Sequence, residues 1–247
     1  MTSKFSSNLS KYYSINFNLP KRSKNKIIFV VLHYTGMISE SGAIERLRDP
    51  KSKVSSHYFI KDSGEILCLV PDIYEAWHAG KSSWQKLKSL NKYSIGIEIN
   101  NPGHAYGYKN FSLRQIASLF KLLKYLMKKY NIKKHNILGH SDISPNRKKD
   151  PGEKFPWNRL AKKNLCKWHT LNEKKIKRYR NLGLKNFEEK KFLKNLYSIG
   201  YPKVFIKNKR NAKINLIKAF QRKFRQSLID GKIDQECFLI SENLLKL

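Results

Sequence analysis

The stretch KIIFVVLHY (26–34) most constrains the fold, because six successive apolar residues, Ile27 to Leu32, leave neither face of an extended segment suited to water. Neighbouring side chains on a strand point to opposite faces, so the run reads as a strand buried on both sides, within a sheet that helices cover. YSIGIEIN (93–100) is a second such strand, with Ile95, Ile97 and Ile99 on one face and Glu98 on the other. SSHYFIKDSGEILCLV (55–70) reads as two strands around Asp62, Ser63 and Gly64, and NILGH (136–140) as one more. The clearest helix is SLRQIASLFKLLKYLMKKY (112–130). Ser112 and Gln115 fit a capping box, and Leu113, Ile116, Phe120, Leu123 and Met127 predict the buried stripe. Strands alternating with a helix predict an α/β domain over 26–160, a mostly buried mixed sheet flanked by helices.

The flanks differ. Residues 1–25 read as a loose polar arm, and 161–182 as a basic linker. In 183–247, helical periodicity at Phe187, Phe192 and Leu196, and again at Ile217, Phe220 and Phe224, predicts a small all-α module of three helices. Asp230-Gly231 marks a turn and Asp234 the N-cap of the last helix. A block of this size is small for an independent core, so it is expected to dock on the first domain.

Lys+Arg 51 against Asp+Glu 18 gives a net charge of +33, a field that favours polyanionic partners. The lysines run from Lys4 to Lys246 without one dominant patch, and only KKIKRYR (174–180) offers a basic stripe. No specific nucleic-acid partner is therefore expected. The milder consequence is retention near anionic envelope polymers. Cys68, Cys166 and Cys237 form neither a zinc pattern nor a disulfide framework, and are expected reduced. No run approaches the ~20 apolar residues of a membrane helix, and the first 26 residues lack the apolar core of a cleaved secretory signal. The oligomeric state is open, with a monomer as the starting expectation.

Two histidines stand at strand ends. His33 closes the first buried strand and His140 closes NILGH, where α/β sheets place their sites. Either alone reads as a structural histidine, but two can converge above the sheet. A catalytic zinc takes three N, O or S ligands and one open position, and Asp150 is the natural third, brought back beside His140 by a bend through Pro145. Lys148, two residues before Asp150, shares its face if the segment is extended, whereas Lys149 points to solvent. A lysine there stabilises a developing oxyanion. Glu98, set among isoleucines, is costly to bury without a partner. It reads either as a general base beside a zinc site or as a carboxylate paired with one of the many lysines.

VVLHYTG (30–36), SSHYFI (55–60), EAWHAGKSSW (75–84), SIGIEINNPGH (94–104) and GHSDISPNRKKDPGEKFPW (139–157) together resemble the zinc-dependent N-acetylmuramoyl-L-alanine amidases and the related peptidoglycan-recognition proteins. The resemblance covers about 26–160, in the family's order and spacing. It implies a peptidoglycan-recognition-protein-like fold and hydrolysis of the amide between N-acetylmuramic acid, or its anhydro form, and L-alanine. It further implies that His33, His140 and Asp150 hold Zn²⁺, that Glu98 is the catalytic base, and that Lys148 stabilises the oxyanion. Some relatives carry cysteine at the third ligand and a tyrosine near the middle hairpin. Asp150, and Ser56 before His57, match the variant that uses Glu98. Tyr34, His57, His78, Asn100 and Ser141 are expected as packing or substrate-lining residues, and His104, His135 and His169 as exposed ones. LYSIGY (196–201), AFQRKFR (219–225) and DGKIDQE (230–236) are similar to the three-helix peptidoglycan-binding module that accompanies such amidases. The implied partner is peptidoglycan or its muropeptide fragments. The module points to the cell envelope or periplasm, the missing signal to the cytoplasm. The rival reading is a non-catalytic muropeptide-binding protein, which would normally lack a ligand.

Overall fold

The computed structural model describes residues 9–203 and 209–247. Its centre is a five-stranded mixed sheet of β1 (Phe29–Tyr34), β2 (Tyr58–Ile60), β3 (Ile66–Cys68), β4 (Ser94–Ile99) and β5 (Ile137–Gly139). The spatial order is β3-β2-β4-β1-β5, parallel throughout except for the β2–β3 hairpin. This is the mixed, helix-flanked sheet expected from the sequence. The principal helices are α1 (Glu40–Arg48), α2 (Leu113–Tyr130), α3 (His140–Ile143), α4 (Asn186–Ile199), α5 (Lys209–Phe224) and α6 (Gln235–Leu245).

The two sheet faces are covered differently, and the difference makes the site. On one face Val30, Leu32, Tyr58, Ile60, Ile95, Ile97, Ile99 and Ile137 pack against α2 and against Phe155, Trp157 and Leu160. Here α2 carries the expected capping box between Ser112 and Gln115. Its buried stripe is rotated from the expected one: Ile116, Leu119, Leu122, Leu123 and Leu126 face the sheet, while Leu113 is 70% exposed and Phe120 and Met127 are only partly buried. The helix is apolar around much of its circumference, so periodicity alone chose a neighbouring stripe.

On the opposite face there are two separate covers. Phe59 and Leu67 pack under Ala43, Ile44 and Leu47 of α1. Phe29, Val31 and Leu138 pack under Phe192, Leu196, Leu216 and Phe220 of α4 and α5. Between the covers runs the remaining row of β4, Ser94, Gly96 and Glu98, which offers no aliphatic side chain.

The C-terminal helices thus share one apolar cluster with the sheet, as the docking expectation required. Within them, Phe187 lies 64% exposed, while Phe192, Leu196, Ile217, Phe220 and Phe224 are buried. Asp234 caps α6, accepting from the Cys237 amide.

The loose arm is a correction. Residues 1–8 lie outside the described residues, but 9–25 are tied down. Phe17–Asn18 pairs with Glu75–Ala76. Ser14 donates to the Leu47 carbonyl, and Asn16 to those of Asp49 and Val54. Arg22 donates to the carbonyls of Asp72 and Asn91. The polar side chains that make this segment look unstructured are the ones that fasten it.

Candidate metal centre

His33 sits at the penultimate position of β1, in direct register with Glu98 on β4, so both side chains leave the same sheet face side by side. His140 follows β5 as the first residue of α3. The chain then turns through Pro145 and returns, Ser141 N–H donating to the Asp150 carbonyl at 2.8 Å. Gly139 makes room for the return, since a Cβ there would stand 2.8 Å from Pro151.

Three ligand atoms converge. His33 Nδ1 and His140 Nδ1 lie 2.9 Å apart, and each is 3.0 Å from Asp150 Oδ2. Among the described residues, these three form the one cluster spaced to hold a metal ion. The outer nitrogens identify the tautomers. His140 Nε2–H donates to the Ala79 carbonyl at 3.1 Å. His33 Nε2–H donates to His78 Nδ1 at 3.1 Å, His78 Nε2–H to Ser94 Oγ, and Ser94 to the Leu90 carbonyl. Both Nδ1 atoms then present lone pairs toward an ionised carboxylate oxygen. Three acceptors this close repel one another unless a cation sits among them. The edges of a tetrahedral zinc site with bonds of 2.0–2.1 Å are about 3.3 Å, close to this triangle. The donor set fits zinc.

Electrostatics agree. Burial, then the neighbouring His140, pushes His33 down to about 4, so it stays neutral and able to ligate. Burial and then Asp150 push Glu98 well above its ordinary value, with Lys148 acting in the opposite sense. Glu98 Oε2 is out of solvent and has no hydrogen-bond partner. Among the described residues the lysine ion pairs are made by Lys61, Lys109, Lys129, Lys191, Lys213 and Lys223, none of them with Glu98, and Lys148 acts on it through its field.

These groups line a cleft of about 760 Å³, with Ala43, Leu47 and Val54 on the α1 side and Arg147, Lys148 and Asp150 on the other. Lys148 is half-buried, and Lys149 is exposed although it also borders the cleft. Tyr34 lines it too, its hydroxyl 2.9 Å from His104 Nδ1. His78 reaches the cleft wall, but its stronger role is to hold His33. It lies flat over Gly96, where a Cβ would meet its ring at 2.4 Å.

Three of the residues expected to pack or to line the site are not on the wall. His57 is fully buried beneath His78: Gly96 N–H donates to its Nδ1, which leaves the Nε2 proton for the Tyr74 carbonyl. Asn100 lies past the end of β4 and accepts from Thr35 Oγ1 and, through its carbonyl, from Gln115. Ser141 is 3% exposed and serves the loop through its backbone. In the opposite direction, His104 is not an exposed histidine. It bridges Tyr34 and Glu153 and stacks on Tyr108 at the cleft rim. His169 is 5% exposed, also against expectation, whereas His135 is exposed. His104 ends the motif SIGIEINNPGH, which was the available signal for its place.

Known proteins resemble this chain in sequence and fold. Residues 23–153 match the family model described as N-acetylmuramoyl-L-alanine amidase. The amidase AmiD of Escherichia coli is 34% identical over 236 residues, 90% of this chain and 83% of the relative. Its structure, solved with anhydro-N-acetylmuramic acid-L-Ala-D-gamma-Glu-L-Lys, superposes with a TM-score of 0.79 at 32% identity, covering 93% of this chain and 92% of that one. AmpDh3 of Pseudomonas aeruginosa, solved with an anhydromuramic pentapeptide, gives a TM-score of 0.78 at 28% identity, covering 100% and 98%. The 1,6-anhydro-N-acetylmuramyl-L-alanine amidase AmpD of Escherichia coli is 38% identical over 108 residues, 44% of this chain and 57% of that relative.

Proposed function

The chain belongs to the N-acetylmuramoyl-L-alanine amidase family, and from that premise we propose which of its residues carry the reaction. The enzyme hydrolyses the amide between N-acetylmuramic acid and the L-alanine of the peptidoglycan stem peptide. The observation that carries the assignment is the acceptor triangle of His33, His140 and Asp150 beside Glu98, whose Oε2 is buried without a hydrogen-bond partner. Zinc held by the triangle, when bound, polarises the scissile carbonyl and lowers the pKa of a water toward about 7. Glu98 takes the proton of the attacking water and delivers it to the departing alanine nitrogen, leaving a muramic carboxylate and a free amine. Lys148 places its ammonium against the carbonyl oxygen as negative charge develops there.

The cationic rim of Arg46, Arg147, Lys148 and Lys149 suits the carboxylates of a stem peptide. The anhydro-muropeptides held by AmiD and AmpDh3 make soluble anhydro-muropeptide the first substrate to try. We carry 183–247 as a peptidoglycan-binding-like domain on the same footing. Retention of all three ligands and the base argues against a purely binding role.

The test is direct. Purified protein should bind one zinc per chain and release free stem peptide from anhydro-muropeptide, with both lost on chelation and restored by zinc. Zinc-loaded protein that binds muropeptide without cleaving it would overturn the assignment.

The adjacent lysines give a sharper comparison. Lys148→Ala should lower turnover by about 10²–10³-fold, the usual cost of losing an oxyanion donor. Lys149→Ala, at an exposed position, should change it by less than about twofold. Equal effects in a stem-peptide release assay would mean that Lys148 has no special place at the carbonyl.

A further inference from the structure

The last turn of α5 and the residues just after it reach back onto the loop that carries two of the three ligands. Lys223 is buried, and its ammonium donates to Asp142 Oδ2 at 2.8 Å and to the Ile137 carbonyl at 3.1 Å, over the ring of Trp157. Asp142 stands two residues after His140 and is itself 1% exposed. Its Oδ2 also accepts from the amide N–H of Gly139, the residue immediately before His140, and its Oδ1 accepts from the Tyr201 hydroxyl. Gln226 holds the other end. Its Nε2 donates to the carbonyls of Glu153 and Phe155, both at 2.6 Å, just beyond Asp150.

The loop is therefore gripped before His140 and after Asp150 by two side chains three residues apart. Ordinary docking of an accessory module needs apolar contact, which Phe220 and Leu216 already provide against Phe29 and Val31. It does not need a buried lysine neutralising a buried carboxylate beside a ligand. Leaving Asp142 without its cation would strand a charge out of water, and the loop would have to open to hydrate it.

We propose that Lys223 and Gln226 are positioning residues for the metal centre, so that the C-terminal helical block is a structural part of the zinc site and not only an appended binding module. The proposal rests on His33, His140 and Asp150 being the ligands. Groups that orient ligands from one step away typically change metal affinity by 10–100-fold when removed.

The test uses the full chain, with zinc affinity measured by chelator competition and amide hydrogen exchange over 140–155. Lys223→Met should raise the zinc dissociation constant by about tenfold or more. Gln226→Ala should raise it by a smaller factor, and both should speed exchange in the loop while leaving β1 and β4 protected. Leu244→Ala opens a cavity in the same helical block while leaving Lys223 and Gln226 in place. It should lower the melting temperature and leave zinc affinity unchanged. If Lys223→Met does not fold, Gln226→Ala decides alone. Unchanged zinc affinity and exchange in these variants, or an equal loss in Leu244→Ala, would overturn the proposal. Wild-type protein that binds no zinc would instead overturn the ligand assignment beneath it.

Discussion

Glu98→Gln is expected to leave the enzyme folded and zinc-loaded while lowering stem-peptide release by about 10²–10⁴-fold, the range that a positioned general base supplies. The argument begins with register. Pairing of His33 with Glu98 across two parallel strands places the carboxylate next to a proposed ligand and outside the proposed ligand set. Its Oε2 lacks any hydrogen-bond partner, and burial with Asp150 nearby raises its proton affinity. A raised carboxylate can take a proton from water and still return it to an amine. Glutamine keeps the volume and removes the basicity. Because Oε2 of the wild-type carboxylate is desolvated without a partner, the variant should be no less stable than the parent. Metal content, melting temperature and release of free peptide are the three measurements. Wild-type turnover in a zinc-loaded variant would remove Glu98 from the mechanism.

Asp150→Ala should abolish activity by the other route, through loss of the metal. Asp150 is the anionic member of the triangle, and its Oδ2 is 3.0 Å from both histidine nitrogens. Two imidazoles remain in the variant, and a divalent ion has lost both a ligand and the negative charge of that ligand. Zinc should fall from one equivalent to near zero in the presence of a moderate chelator. Asp150→Cys, which supplies a thiolate at the same place, should keep the metal. The two variants separate loss of ligation from collapse of the loop, since both remove the carboxylate and only one offers a replacement ligand. Zinc held by Asp150→Ala as tightly as by the wild type would mean the third ligand lies elsewhere.

The site was more legible than its surroundings. Ile27 to Leu32 and the alternating isoleucines of β4 are local patterns, and a strand's period of two places His33 and Glu98 on a common face once the strands are neighbours. The return of Asp150 is also local, ten residues from His140. What escaped is long-range or hidden by composition. Lys223 meets Asp142 across 81 positions, and one buried lysine among 51 Lys and Arg residues carries no mark in the sequence. The segment 9–25 looked loose because its serines, asparagine and arginine find carbonyl partners only in the folded chain. Asn100 and Ser141 adjoin Glu98 and His140 in sequence, yet neither lines the cleft: Asn100 is engaged by Thr35 and Gln115, and Ser141 is 3% exposed.

The bare row of β4 has a consequence for the enzyme's robustness. Ser94, Gly96 and Glu98 occupy the one strip of this sheet where aliphatic side chains would bridge the two covers and extend the core. Thermal stability and catalysis therefore pull in opposite directions at the same three positions. Replacements that mend the strip would fill the cleft, displace His78 from beneath His33, and yield a sturdier protein without a reaction. Hardening this enzyme has to proceed from the α2 face, where the packing is continuous and the chemistry is absent.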